Sequence, residues 1–192
     1  MTEEIRLKNY QLFLKKLNEI GVDTTLMDEK MGSKITNATF SITNEYGLAY
    51  DGSLINTVLR VLTPYAIKLN NLLPEAMQVD PKSIIKVCLL SHISKCEMFI
   101  PNDNQWEIEK RNILYKYAKS DVAFRMGMKS FILSQDLGIT FTPQEIEAMT
   151  ILDRDPSDEQ ARFFASTLSI IIKQANELAF LQTRNNNIKE KE

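Results

Sequence analysis

A single histidine, a single tryptophan and two cysteines in 192 residues leave little of the usual equipment for metal or thiol chemistry. Any metal site would have to draw on acidic side chains, because His92 is the only imidazole. Cys88 and Cys96 lie within one helical-looking segment, and no charged leader followed by an apolar core opens the chain. Reduced thiols in a cytoplasm-like compartment are expected. Six glycines and six prolines are too few for the many tight turns of an all-β fold. No apolar run reaches the ~20 residues that cross a bilayer; the greasiest stretch, Leu168 to Ile172, is followed by Lys173 and Gln174. Neither sign of charge dominates. With 23 basic and 25 acidic residues the net charge is −2, which gives no electrostatic pull toward nucleic acid.

What is present is helical in character. Ile5, Tyr10, Phe13, Leu14 and Leu17 recur at helical spacing before Gly21, predicting a first amphipathic helix over 3–20. Val22 to Tyr50 is rich in turn residues and reads as loop wrapped on the core, with at best a short helix near Thr25 to Met31. Asp51 and Ser53 can cap a helix carrying Leu54, Val58, Val61, Leu62 and Tyr65, bent where Pro64 removes an N–H. Asp80-Pro81 opens a helix expected to run through Lys95. Met98-Phe99-Ile100, a Pro101-to-Asn104 turn and Trp106 to Glu109 read as a hairpin. Helices are expected from Asp121 to about Leu137, from the Thr142-Pro143-Gln144-Glu145 capping box to about Leu152, and from Asp155-Pro156-Ser157 to about Gln182, with a loose polar tail from Asn185 to Glu192. At roughly 70% of unfolded surface buried for a chain of this size, residues 1–184 are expected to form one domain with no internal repeat.

Five segments, in order, carry a resemblance. They are Tyr46-Gly47-Leu48-Ala49-Tyr50-Asp51-Gly52-Ser53-Leu54-Ile55-Asn56, Leu89-Leu90-Ser91-His92-Ile93-Ser94-Lys95, Arg125-Met126-Gly127-Met128-Lys129-Ser130, Thr142 to Leu152, and Ala175-Asn176-Glu177-Leu178-Ala179. Together with Gln105-Trp106-Glu107 they resemble a subgroup of HD-domain phosphohydrolases reading YHGAYEGGLLEH, LLHDICK, GHGEKS, TDEEALAIRWH and ADLEA at these places. The resemblance spans Tyr46 to Ala179 and implies an all-α, HD-domain-like helical bundle, its core over 46–182, with a small β-hairpin insertion. It also places the family's metal ligands on Asn56, Ser91, His92, Met126, Leu152 and Asn176.

Those residues depart from the family pattern in a chemically consistent direction. An HD hydrolase grips divalent cations with imidazoles and carboxylates, and the cation activates water and stabilises phosphoryl charge. Asn56 and Asn176 offer neutral amide oxygens, Ser91 a hydroxyl, and Met126 and Leu152 nothing a hard cation prefers. Buried Met and Leu contribute about 1.5–3 kcal/mol each, so the former pocket is expected to have become core. Asn56 and Asn176 read either as hydrogen-bonded helix residues facing each other or as remnants of a ligand site.

Two other constellations have both bland and functional readings. Cys88, His92 and Cys96 fall at i, i+4 and i+8 on one helix face, where two of them could hold zinc together; the outer two would be about 12 Å apart and cannot share one ion. Asp153, Asp155 and Asp158 form an acidic cluster that serves either a cation or a helix start. The expectation is therefore a non-enzyme without cofactor, a structural or interaction protein working with protein partners as a homo-oligomer or larger assembly. Intact relatives occur in gut bacteria and their phages, so the resemblance extends to a virion tail or ring component; otherwise the cytoplasm is the expected location. The alternative is a pseudoenzyme that holds a nucleotide or phosphate through Lys95, Arg125 and Lys129 without hydrolysing it.

Overall fold

The computed structural model describes residues 1–44, 47–154 and 165–189, with side chains as far as Arg184. Helix α1 (Glu3–Glu19) starts where the Thr2 hydroxyl accepts from the Ile5 N–H, and it buries Tyr10, Phe13, Leu14 and Leu17. These are largely the residues whose spacing predicted it. Helix α2 (Thr25–Asn37) packs on α1 and runs well past Met31, correcting the loop reading of this region. Met27, Met31 and Ile35 form its buried stripe. Gly32 is not a stop here. A β-carbon on it would press within 3.1 Å of the Tyr10 hydroxyl, which donates to Asp28 at 2.9 Å, so the glycine makes room for a contact between α1 and α2.

At Pro64 the helix changes its hydrogen bonding. Helix α3 (Ser53–Thr57) continues through a π-helical turn at Val58–Leu62 into α4 (Thr63–Asn71), with Pro64 in the first turn of the last piece. The wide turn lets the Thr63 N–H reach back to the Val58 carbonyl, and the Thr63 hydroxyl donates to the same oxygen at 2.6 Å. The bonding shift absorbs a proline that would clash with a regular α-helical ladder.

Helix α5 (Pro81–Leu90) begins at the expected Asp80-Pro81 cap, with the Asp80 carboxylate accepting from Lys82 N–H at 2.9 Å. It ends earlier than expected. A turn at Ser91–Ser94 separates it from the short α6 (Lys95–Met98), which leads into strand β1 (Phe99–Pro101). Trp106 to Glu109 are not the partner strand. They lie in α7 (Gln105–Arg111), started by the Asn104 side chain accepting from Glu107 N–H, and β1 pairs antiparallel with β2 (Tyr115–Tyr117), Phe99 opposite Tyr117.

Helix α8 (Met126–Asp136) starts well after Asp121. Its cap comes from far along the chain: the Asp153 carboxylate accepts from Gly127 N–H and Met128 N–H, both at 2.9 Å. The predicted capping box opens α9 (Pro143–Thr150), which ends in a 3₁₀ turn at Ile151–Asp153. The last helix, α10 (Thr167–Lys189), passes the expected end at Gln182 and enters the polar tail, since a formed helix adds residues at little further cost. Its expected start at Asp155-Pro156-Ser157 lies outside the described residues, as does Tyr46 at the head of the first family-like segment. Leu168, Ile171, Ile172 and Ala175 are buried where α10 packs on α4, α5 and α9, and one hydrophobic core runs from Tyr10 on α1 to Ala175 on α10. The architecture is all-α with one small two-stranded sheet.

Where α8 crosses α9, no side chain fits at position 127. A β-carbon there would collide with the Met149 carbonyl oxygen and press within 2.8 Å of the Asp153 carboxylate. Gly127→Ala is expected to lower unfolding free energy by about 1–3 kcal/mol, the usual cost of overpacking, as read from urea midpoints.

Candidate functional site

The Ser91–Ser94 turn projects His92 inward from the end of α5 and leaves it 1% exposed. Helix α10 brings Asn176 to one side of the ring, where His92 Nε2–H donates to Asn176 Oδ1 at 3.1 Å. The start of α8 brings Met126 to the other side, with its Sδ 3.2 Å from Nδ1. Phe40, from the loop after α2, closes the face of the imidazole at 4.9 Å between centroids and also packs on Phe180 of α10. Three positions identified from the sequence thus meet at one point. Burial foremost, then the positive charge of Lys95, lowers the basicity of His92 well below the ordinary histidine range, while the Asn176 bond opposes this. The ring is neutral at pH 7.

Lys95 is the less usual member. It opens α6 yet is 7% exposed, its Nζ donating to the Phe40 carbonyl at 2.8 Å and lying 3.5 Å from the Phe40 ring centroid. No ion pair joins it to a carboxylate of the described residues. Burial alone pushes its pKa down to about 7. Cation–π attraction and one carbonyl partly offset the desolvation that drives this shift. A serine chain holds the turn against α8: Ser130 Oγ donates to Ser94 Oγ at 2.9 Å, Ser94 Oγ donates to the Met126 carbonyl at 3.1 Å, and Ser134 Oγ donates to the Ser130 carbonyl.

The other sequence-derived positions make different contacts. Asn56 Nδ2 donates to the Tyr50 hydroxyl at 3.1 Å. Ser91 is fully buried and its Oγ has no hydrogen-bond partner among the described residues. Leu152 packs against the core from the 3₁₀ turn after α9. Arg125 donates to the Asp153 carbonyl and Lys129 to Ser120 Oγ at 3.2 Å, so neither joins Lys95 at a common anion position. Cys88 and Cys96 are separated by the Ser91–Ser94 turn, and burial drives both thiols toward the neutral form, Cys96 to about 12. Asp153 caps α8; Asp155 and Asp158 lie outside the described residues. Nothing in the residue pattern pointed to Phe40, which sits in the segment read as loop. Glu145 was expected only as the capping-box residue of α9; its buried carboxylate also meets Lys86 Nζ at 2.9 Å and Ser83 Oγ at 2.9 Å.

A divalent cation of the kind held by HD hydrolases does not fit these residues. One imidazole, one amide oxygen and one thioether supply no negative charge, both ring nitrogens are already in contact, and no group of three His, Cys, Asp or Glu gathers among the described residues.

The buried bases set a pH signature. An unfolded chain keeps Lys95 protonated to about pH 10.5, whereas the folded chain releases that proton near 7. Stability therefore rises with pH from about 7, by at most about 1.4 kcal/mol per unit for one group. Above about pH 8.5 the two buried thiols, which ionise only on unfolding, reverse the trend. Below about 6.5 the unfolded chain gains a proton on His92 that the folded chain resists, and stability falls again. Urea midpoints at about pH 6, 7 and 8 are expected to rise in sequence, and Lys95→Met is expected to abolish the step between the last two; an unchanged step would place the effect elsewhere. Comparison with family models, curated proteins and solved structures gives no match, so the residues of this centre carry the functional reading by themselves.

Proposed function

We propose that this chain is a non-catalytic protein, an HD-like helical scaffold that works by holding protein partners in an oligomer or larger assembly. One observation carries the reading: the residues aligned with an HD hydrolase's metal ligands include a closed, neutral contact of His92 with Asn176 and Met126, capped by Phe40. Electrostatic catalysis of phosphoryl transfer needs preorganised charge facing the substrate. In this centre the imidazole is neutral, the nearest ammonium is turned onto a carbonyl and an aromatic face, and His92 is sealed from solvent. No substrate could reach His92 without opening the contacts among α5, α8 and α10.

A phosphate-holding role receives less support from the same geometry. Lys95, Arg125 and Lys129 each point to a different internal acceptor, so no preformed cradle unites them.

Metal addition discriminates sharply. A cation bound at about 100 times its dissociation constant would add about 2.7 kcal/mol, so excess Mn²⁺ or Zn²⁺ is expected to leave the melting temperature unchanged. The protein is likewise expected to release no phosphate from nucleotides or a generic phosphomonoester. Chelator-sensitive hydrolysis that disappears in His92→Ala would overturn the proposal.

A further inference from the structure

Between β2 and α8 the chain leaves a groove of about 330 Å³, mostly apolar in lining, to which Ser94 contributes but neither His92 nor Lys95 does. Its lining includes Met98, Ile132 and Leu133. Exposed apolar side chains gather at the same place: Tyr117 is 62% exposed, Val122 53% and Phe124 49%, all three lining the groove. Isolated exposed apolar residues are ordinary; a cluster around one depression is the signature of a contact surface.

The charges say what the surface fits. Lys129, Ile132, Leu133 and Asp136 all line the groove from α8, at i, i+3, i+4 and i+7, hence on one face of that helix. The order along this face is cation, apolar, apolar, anion. A second α8 laid antiparallel about a two-fold axis through the middle of the stripe sets Ile132 against the second copy's Leu133. The same rotation sets Lys129 against the second copy's Asp136, and does so twice. Neither Lys129 nor Asp136 has an ion-pair partner among the described residues. A patch that carries its own groove, its own aromatic rim and its own opposite charges is self-complementary, which is what an isologous contact requires.

We infer that the groove between β2 and α8 is the contact surface of a two-fold homodimer, in which α8 pairs antiparallel with its copy and Val122 and Phe124 of each chain cover the groove of the other. The inference rests on the reading of the protein as an assembling scaffold and names its first partner, a second copy of the chain.

Light scattering on the full chain, with sedimentation equilibrium, tests it. A dimer is expected at about 0.1 mM, above a micromolar dissociation constant. Phe124→Asp changes an exposed loop side chain and is expected to weaken dimerisation about tenfold or more, with an unchanged melting curve of the monomer. Lys129→Glu alone brings two carboxylates together at each end of the contact, and Asp136→Lys alone brings two ammonium groups together, so each variant is expected to be monomeric. An equimolar mixture of these two variants restores opposite charges at both ends of the contact, the introduced glutamate against the introduced lysine at one and Asp136 against Lys129 at the other, and is expected to form a heterodimer. A wild-type monomer at that concentration overturns the inference, as does a dimer indifferent to all three substitutions. The second result leaves the scaffold reading intact, which falls only to catalysis, and thus separates the two failures.

Discussion

Burial of two nitrogen bases without a counter-charge is the constraint around which the middle of this protein is arranged. His92 and Lys95 stand one turn apart at the junction of α5 and α6, and both point inward. A buried ammonium with no carboxylate costs several kcal/mol unless other partners offset it. Here the partners are the carbonyl and the ring of Phe40, and the same ring closes over His92. One loop residue therefore serves both bases, and the loop after α2 is held by them. The junction also ties α8 and α10 to the core, through the serine chain and through Asn176.

Neutrality follows from this packing. A carboxylate at position 176 or a charged imidazole at position 126 would bring charge to a place where water is excluded, at a desolvation cost that an opposite charge would have to offset. The amide and the thioether demand nothing of the kind. Asn176 satisfies the ring N–H, and Met126 fills the remaining space with a flexible, polarizable chain. Such a centre contributes to cohesion between helices that are distant in sequence.

Elements with a complete local signal were legible. The first helix, the Asp80-Pro81 start and the Thr142 capping box each combine a cap with a hydrophobic period, and the structure has them in place. Elements whose signal was supplied from a distance were not. Helix α2 contains Gly32, a stop by local rules, which is tolerated because the Tyr10–Asp28 contact needs its missing side chain. Helix α8 ignores the cap offered by Asp121 because Asp153 supplies a better one across α9. In the hairpin, β-like Trp106 and Ile108 lost to the Asn104 cap, and the strand moved to Tyr115–Tyr117.

The candidate centre divides in the same way. By itself the sequence determined the helical class and the scarcity of imidazole and thiol ligands, because side-chain chemistry is fixed by composition; it was the family resemblance that singled out His92, Met126 and Asn176, and the packing that brought them together. The tertiary structure alone decided that Asn56 turns to Tyr50, that Lys95 is buried on Phe40, and that Lys129 and Asp136 share a groove with exposed aromatics. Those outcomes depend on which helices cross and at what depth, and burial is a property of the packed whole that no local spacing records.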